Sequence, residues 1–432
     1  MGRAQEIVSI QAREIFGAKG YPGVEVEVIT RNGARGAAVA VAGTSMGSLE
    51  AKFAYDPRTR LGGWGVKTAA DNVNKILAPA LIGLDSSHQA RVDAVIIELD
   101  GTADKSKLGA NATGSLSAAV LKAGAASLGI PLYQHIGGVN ACTLPVPGIM
   151  TGRGSYRYGA GEEAGGKPTY AIMCYGFSSF REAAYAGWEI FAEYARILNR
   201  RFKLGFTMEH YSRQLLDTRI VEHDRELWDA MMEAAVNCGY EGKVCLQADI
   251  AAETYYDPEK KKFIGLFSEG EKSKEDLFRI YEEMIENYSF RIIEDPFPEN
   301  DFESHARLTK KYDIDIVGDD LFVTNTERLR RGIETGAANS VLLKVYQKGT
   351  ITEALEAVRF AYENGYRVMP CSSRGEGADI ADYAVGINSG YLREGAIDAT
   401  GNRLIAIESE LGSRAVFAGE KGLRRIRLDS RK

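Results

Sequence analysis

The chain has 432 residues, 45% of them apolar and 26% charged, and a formal net charge of −6. That length suits two domains or one large barrel with an attachment, and the composition is ordinary for a globular protein with a sizeable core. The absence of a long basic block excludes a nucleic-acid or polyanion surface as its main business, and no apolar run reaches the about 18 residues of a membrane span.

The opening residues, "MGRAQEIVSIQAREIFGAKG", lack the continuous apolar segment of a signal peptide. Glu6 stands where a myristoylation pattern wants Ser or Thr. Cys142, Cys174, Cys238, Cys245 and Cys371 are odd in number and never spaced as CxxC. The expectation is a reducing, cytoplasmic setting with neither a disulfide frame nor a zinc site.

Residues 1–135 are predicted to mix strands and helices. "IVSIQAREIF" and "GVEVEVITRNGARGAAVAVA" alternate apolar and polar residues, and Asn32-Gly33 marks a hairpin turn. The patterns "VKTAADNVNKILAPALIG" and "TGSLSAAVLKAGAASLGIPLYQHIG" are helical, so this part is an α+β unit. The Gly- and Pro-punctuated "GGVNACTLPVP" (137–147) is the expected joint, dividing the chain into 1–136, an α+β capping domain, and 137–432.

Beyond the joint, short apolar runs alternate with amphipathic helices. "VCLQADI", "FRIIEDPF", "IDIVGDD", "SVLLKV" and "YRVMPCS" are each followed by a helical pattern. Near-continuous apolar strands mean a parallel sheet covered on both faces. At least five such units, without a dinucleotide-binding glycine loop, predict an α/β barrel.

What ends each strand is the informative feature. Asp249, Glu294, Asp319 and Lys344 close four successive strands, at separations of 45, 25 and 25 residues. In such a barrel the carboxyl ends of the strands meet at one mouth. Taken singly, each acid is more often a helix cap or a turn residue; the conjunction favours a site. Converging carboxylates repel unless a cation joins them, and an all-oxygen set suits Mg²⁺. Beside a divalent ion Lys344 is expected to lose its proton more easily and to serve as a general base. A lysine base with Mg²⁺ abstracts the proton α to a carboxylate and stabilises the resulting ene-diolate.

The segments "LDGTADKSKLGANA", "SLGIPLYQHIGGVNACTLPVP", "IIEDPFPENDF", "VGDDLFVTNTERLRRGIETG", "LLKVYQKGTITEALEA" and "IESELG" resemble the enolase family in order and spacing, over almost the whole chain. The resemblance implies a modified TIM barrel of the enolase type behind the N-terminal α+β capping domain, Mg²⁺ as cofactor, and a homodimer or higher homo-oligomer. It carries Asp249, Glu294 and Asp319 as metal ligands and Lys344 as the base. "GTSMG" matches the family's mobile serine loop, with Ser45 on the serine that contacts a second Mg²⁺.

The chain departs from the family where the second half of the chemistry lies. The "DEGG" segment, whose glutamate acts in acid catalysis, is "MEHY" here, placing Glu209 on its Asp and His210 on its Glu. The glutamate of "QEFM" aligns with Thr169. "TGRGSYRYGAGEEAGG" contains none of the family loop's histidine. The phosphate-binding "SHRSGE" becomes "CSSRGE", with Ser372 in place of His, Ser373 beside it, and Arg374 one position late. The lysine of "IKTGA" is Arg393. His210, with an ordinary pKa near ~6.5, could serve as acid or base; a structural histidine is the plainer reading. Arg393 can hold a carboxylate or enolate but not shuttle a proton. Arg153, Arg157, Lys167 and Arg374 offer cations to an anionic substrate, although on a solvated loop the first three read more simply as surface charge.

The expectation is therefore a Mg²⁺-dependent carbon–oxygen lyase. Lys344 takes the α-proton of an anionic, phosphorylated or phosphonylated 2-substituted carboxylate, and a β-group leaves. Its substrate is expected to differ from plain 2-phosphoglycerate. The alternatives are a true phosphopyruvate hydratase and a non-catalytic relative kept for binding, against which the intact Asp249, Glu294, Asp319 and Lys344 count.

Overall fold

The structure, a computed structural model, describes residues 3–17, 20–42, 47–153, 157–160, 166–203 and 221–424. Strands Ile7–Phe16, Pro22–Thr30 and Arg35–Val41 form an antiparallel sheet in sequence order. The Asn32-Gly33 turn forms as expected, with Gly33 at a φ of 84°. Val24, Val26 and Val28 face inward and are fully buried, each stabilising the fold by about 1.5–3 kcal/mol.

Over this sheet lies the helix Ala110–Leu128, buried on every side from Ala110 to Leu121. Its run of Ala, Gly, Ser and Thr follows from where it sits, between the sheet and the barrel. Thr113 donates to the carbonyl of Gly349 at 2.7 Å, and Ser117 accepts from the amide of Ile351 at 3.0 Å. Gly36 allows the sheet to touch the helix: a Cβ there would stand 2.2 Å from the carbonyl oxygen of Ala119.

Eight strands form the second sheet, in the order Arg367–Pro370, Ser340–Leu343, Asp315–Gly318, Phe290–Glu294, Val244–Asp249, Thr169–Cys174, Val146–Arg153, Tyr391–Leu392. The amide of Arg393 donates to the carbonyl of Pro370 at 3.2 Å, which brings the two ends together into a nearly closed barrel. Each strand contributes one buried side chain to its interior: Met369, Leu342, Val317, Ile292, Cys245, Met173, Val146 and Tyr391. This is the expected modified TIM barrel.

One strand departs from the βα rhythm. Thr169–Cys174 runs antiparallel to both neighbours. No helical pattern separates it from the strand before it, only a glycine-rich stretch, so the chain returns directly instead of crossing over. Thr169, which begins this strand, therefore pairs with Asp249, which ends the next. The mouth is built from carboxyl ends at Asp249, Glu294, Asp319 and Lys344, and from an amino end at Thr169. The longer interval before Glu294 holds a small antiparallel meander, Tyr256–Asp257, Lys262–Ile264 and Glu271–Lys272.

Most of the barrel helices begin at side-chain caps. Ser273 forms a reciprocal capping box with Asp276, and Asp301, Asn325, Thr350 and Asp398 each accept from backbone amides of the first turn; such caps are worth about 1 kcal/mol apiece. On the helix Phe302–Lys311, His305 is fully buried against Phe297. Its Nδ1 donates to the Asp301 carbonyl at 2.9 Å.

Burial pushes His305 down to about 4, from an ordinary 6.5. The folded chain holds the ring neutral where the unfolded chain binds a proton, so stability from this group is complete above pH 6.5 and is lost as pH falls toward 4. His305→Gln is expected to flatten that acid limb by up to about 3 kcal/mol, read as urea midpoints at neutral and mildly acidic pH. Parallel pH profiles for the two chains would remove His305 as the cause.

Candidate active site

The residues that end the four strands converge. Pairing sets Glu294 opposite Asp249 on one side and Val317 on the other. Oxygens of Glu294, Asp295 and Asp319 lie within 4.8 Å of one another. Asp249, Glu294, Asp319 and Lys344 are all buried. Lys344 Nζ is ion-paired to Asp319 Oδ2, whose other oxygen accepts from Gln347 Nε2 at 3.1 Å.

Arg393 closes the opposite side. Its Nε donates to Glu294 Oε2 at 2.7 Å, and its Nη2 binds Asp249 Oδ2 and stands 3.4 Å from Thr169 Oγ1. The arginine that replaces a family lysine thus bridges two of the rim acids. Asp249 Oδ2 takes a second cation, Lys167. Lys167 is not the surface charge its loop suggested. It is carried to the mouth by the reversed strand, and only 14% of its side chain is exposed.

Arg374 is buried and paired at Nε and Nη2 with Glu50, which reaches in from the segment following the third strand. Gln347 Nε2 also donates to Glu50, at 3.1 Å. Arg374 Nη1 stands 3.3 Å from Ser373 Oγ, and half-buried Ser372 lies on the same turn. Ser45, Glu209 and His210 lie outside the described residues, as do the side chains of Arg153 and Arg157.

Four further residues belong to this constellation: Lys167, Glu50, Gln347 and Asp295. Asp295 accepts from the amides of Asp319, Asp320 and Leu321, at 3.0, 2.8 and 3.4 Å. It therefore orients the Asp319 turn. The doublet of Glu294 and Asp295 divides its work, the first facing the mouth and the second holding a loop. Glu50 and Gln347 carry no local signal of their own, because their partners are distant in sequence.

The electrostatics follow from burial and from the cations present. Burial, with Asp320, Asp319 and Glu294 nearby, holds the Asp295 carboxyl well above the usual range. Burial also raises Asp320, with the charge of Asp319 adding to it. Asp319 goes the other way: burial would raise it, but Lys344, Arg374 and Lys167 outweigh burial and hold it low. For Lys344, burial would favour the neutral amine, but Asp319, Glu50 and Asp320 hold its proton more tightly than in an ordinary lysine. The expected easing of the Lys344 proton thus depends on Asp319 being engaged elsewhere.

The donor set fits a hard cation. Asp249 Oδ1 and Glu294 Oε1 are buried without a hydrogen-bond partner among the described residues, a cost of about 1–3 kcal/mol each unless something binds them. Unpaired carboxylate oxygens on adjacent strands, beside a cluster made of carboxylates alone, suit Mg²⁺.

Comparison with known proteins gives the same picture. Residues 7–136 match the family described as Enolase, N-terminal domain, and residues 142–426 match Enolase, C-terminal TIM barrel domain. A protein of Methanocaldococcus jannaschii named Enolase is 41% identical, covering 94% of this chain and 96% of that protein. Proteins of the same name from Thermococcus kodakarensis and Pyrococcus furiosus are each 39% identical, covering 96% and 98% of this chain. The chain belongs to the enolase family, and with it to the magnesium-dependent hydro-lyases.

Asp249→Asn and Glu294→Gln are each expected to weaken Mg²⁺ binding by more than about tenfold in calorimetric titration. Asp295→Asn is expected to act first on stability, lowering the unfolding free energy by about 1–3 kcal/mol through its lost backbone acceptor. Unchanged Mg²⁺ affinity in both of the first two variants would take those carboxylates out of the metal site.

Proposed function

We propose that this chain catalyses the reversible elimination of water from 2-phosphoglycerate to phosphoenolpyruvate, with Lys344 as the base that removes the α-proton. The observation that carries the reading is the buried pairing of Lys344 with Asp319 on the rim that Glu294 and Asp249 share. Identity near 40% over nearly the full chain to proteins named Enolase supports the same reaction.

Asp249, Glu294 and Asp319 are the residues that would hold magnesium, and Ser45 is the candidate for a second ion. Magnesium there would neutralise the acids and stabilise negative charge growing on the substrate carboxylate. Lys344 Nζ accepts the α-proton when unprotonated, so turnover is expected to rise with pH through its titration. Arg393 remains charged and holds developing negative charge without exchanging a proton. Arg374, aligned by Glu50, with Ser372 and Ser373, forms the proposed phosphate-binding turn; a planar guanidinium suits that task. Glu209 and His210 are proposed for the acid half of the reaction. A dimer and a cytoplasmic setting complete the reading, the latter supported by five free cysteines.

A second reading has its own support. Arg393 and Thr169 stand at the mouth where the family motifs have lysine and glutamate, and His210 replaces a glutamate. Groups that act in the transition state are typically worth ~10²-fold or more each. These replacements favour a β-leaving group or substrate tail different from that of 2-phosphoglycerate, with the Lys344 half of the chemistry unchanged.

The two readings part in one assay. With Mg²⁺ and 2-phosphoglycerate, robust formation of phosphoenolpyruvate, followed by the ultraviolet absorbance of the enol acid, supports the first and ends the second. Silence there, with α-proton exchange into D₂O from another anionic acid, supports the second. In either case Lys344→Ala is expected to reduce exchange by about 10²-fold or more while Mg²⁺ still binds. Exchange surviving in that variant would remove Lys344 from the role.

A further inference from the structure

One largely buried cation at the mouth has no part in the chemistry above. Lys167 precedes the reversed strand Thr169–Cys174, and its Nζ donates to Asp249 Oδ2. Its backbone is held in place, since the Oη of buried Tyr255 donates to the Lys167 carbonyl. Asp249 Oδ2 thus serves two full cations, Lys167 and Arg393, while Oδ1 has no hydrogen-bond partner among the described residues.

The two cations differ in what else holds them. Arg393 also donates to Glu294 Oε2 at 2.7 Å and lies 3.4 Å from Glu394 Oε2. The Lys167 ammonium has no second hydrogen-bond or ion-pair partner among the described residues. A divalent ion on Asp249 would repel Nζ. Arg393 would keep Glu394, an anion outside the metal-holding acids. Lys167 would be left as a largely buried ammonium without a direct ion-pair partner among the described residues, an arrangement that needs another partner.

The barrel order says which part of a substrate could supply that partner. Thr169–Cys174 lies four strands from Ser340–Leu343 in the nearly closed ring of eight, so Lys167 and Lys344 enter the mouth from opposite sides. A base on one side takes the α-proton, and the β-substituent then lies toward the other.

We propose that Lys167 is a substrate-binding residue that donates a hydrogen bond to the oxygen on the substrate's β-carbon and stabilises the charge that grows there as the bond breaks. This rests on the elimination proposed above. In that step Lys344 takes the α-proton and the former C–H electron pair becomes the Cα–Cβ double bond. The Cβ–O bond breaks, and its electron pair leaves with the oxygen, which takes a proton from the acid proposed above, Glu209 or His210, to become water. Lys167 supplies a positive charge and a donor to the departing oxygen and keeps its own proton. An ammonium fixed where charge develops, away from bulk water, is well placed to lower that barrier.

The test separates the two halves of the reaction in the Mg²⁺-loaded, full-length protein. In Lys167→Met, α-proton exchange of 2-phosphoglycerate into D₂O is expected to stay within about twofold, while phosphoenolpyruvate formation falls by about tenfold or more. Lys167→Arg is expected to recover part of that loss. Calorimetry supplies a readout independent of turnover. In a Lys344→Ala background, 2-phosphoglycerate is expected to bind about tenfold or more tightly than phospholactate, which lacks the β-hydroxyl, and Lys167→Met to erase the difference. An unchanged ligand preference, or exchange and elimination falling together, would overturn the role of Lys167 and leave the Lys344 reaction standing. Absence of both binding and exchange in the unmodified chain would overturn the reaction and this role with it.

Discussion

Buried carboxylates of like charge cannot share a small space without a cation, and this constraint organises the whole mouth of the barrel. Asp249, Glu294, Asp319 and Glu50 are each almost inaccessible to water, where the penalty for an unpaired charge is severe. Each is met by a cation from a different part of the chain. Lys344 binds Asp319, Arg393 spans Glu294 and Asp249, Lys167 adds to Asp249, and Arg374 takes Glu50. The carboxylates themselves are not saturated, since Asp249 and Glu294 each keep a buried oxygen with no partner among the described residues. An acid cluster that is charge-compensated yet short of donors is poised to take a metal ion, because the ion fills a coordination deficit without demanding that the acids be rebuilt.

The fold meets this constraint with rigid elements. The rim acids sit at the last residue of a strand or one residue beyond it, where backbone pairing fixes their spacing. Asp295 adds a tie between neighbouring strand ends by accepting three amides of the Asp319 turn. The N-terminal part does more than cover the mouth. Glu50 sets the guanidinium of Arg374, and the amide of Val41 donates to the Arg374 carbonyl at 2.8 Å. The tightly packed small-residue helix Ala110–Leu128 keeps the sheet that carries these contacts against the barrel. Loss of packing there would reach the site through the position of Glu50.

Much of this was legible from residue order because strand ends and parallel pairing obey a local rule. Asp249, Glu294, Asp319 and Lys344 all sit at carboxyl ends, and the apolar runs before them mark those ends directly. Lys167 obeys the opposite rule. It stands before a strand that runs backwards, so reading carboxyl ends alone left it on a loop as solvated charge. The clue lay in the sequence between the first two barrel strands, which carries no helical pattern, and the antiparallel pairing there brings an amino end to the mouth. Glu50 and Gln347 were invisible for a different reason. Their partners lie 324 and 28 residues away, at Arg374 and Asp319, and no periodicity announces such a contact. Asp295 looked like a duplicate of Glu294, because adjacent acids differ in role only once the backbone has turned one inward and the other toward a loop.

Arginine at 393 changes how one side of the mouth is held together. A lysine there would meet the acids as a single point charge. Arg393 instead has a planar fork long enough to bridge Glu294 and Asp249 at once, with Thr169 Oγ1 and Glu394 Oε2 each 3.4 Å from its outer nitrogens. Glutamate at 169, as in the family motif, would add an acid beside Asp249. Threonine adds none, and the freed space and charge balance suit Arg393 together with Lys167. The three positions are therefore coupled: fewer acids on this side of the mouth, and more cations. Arg393 and Lys167 together bring two positive charges to Asp249. Lys344 and Arg393 stand at the ends of different strands and pair with different rim acids, Asp319 for the first and Glu294 with Asp249 for the second.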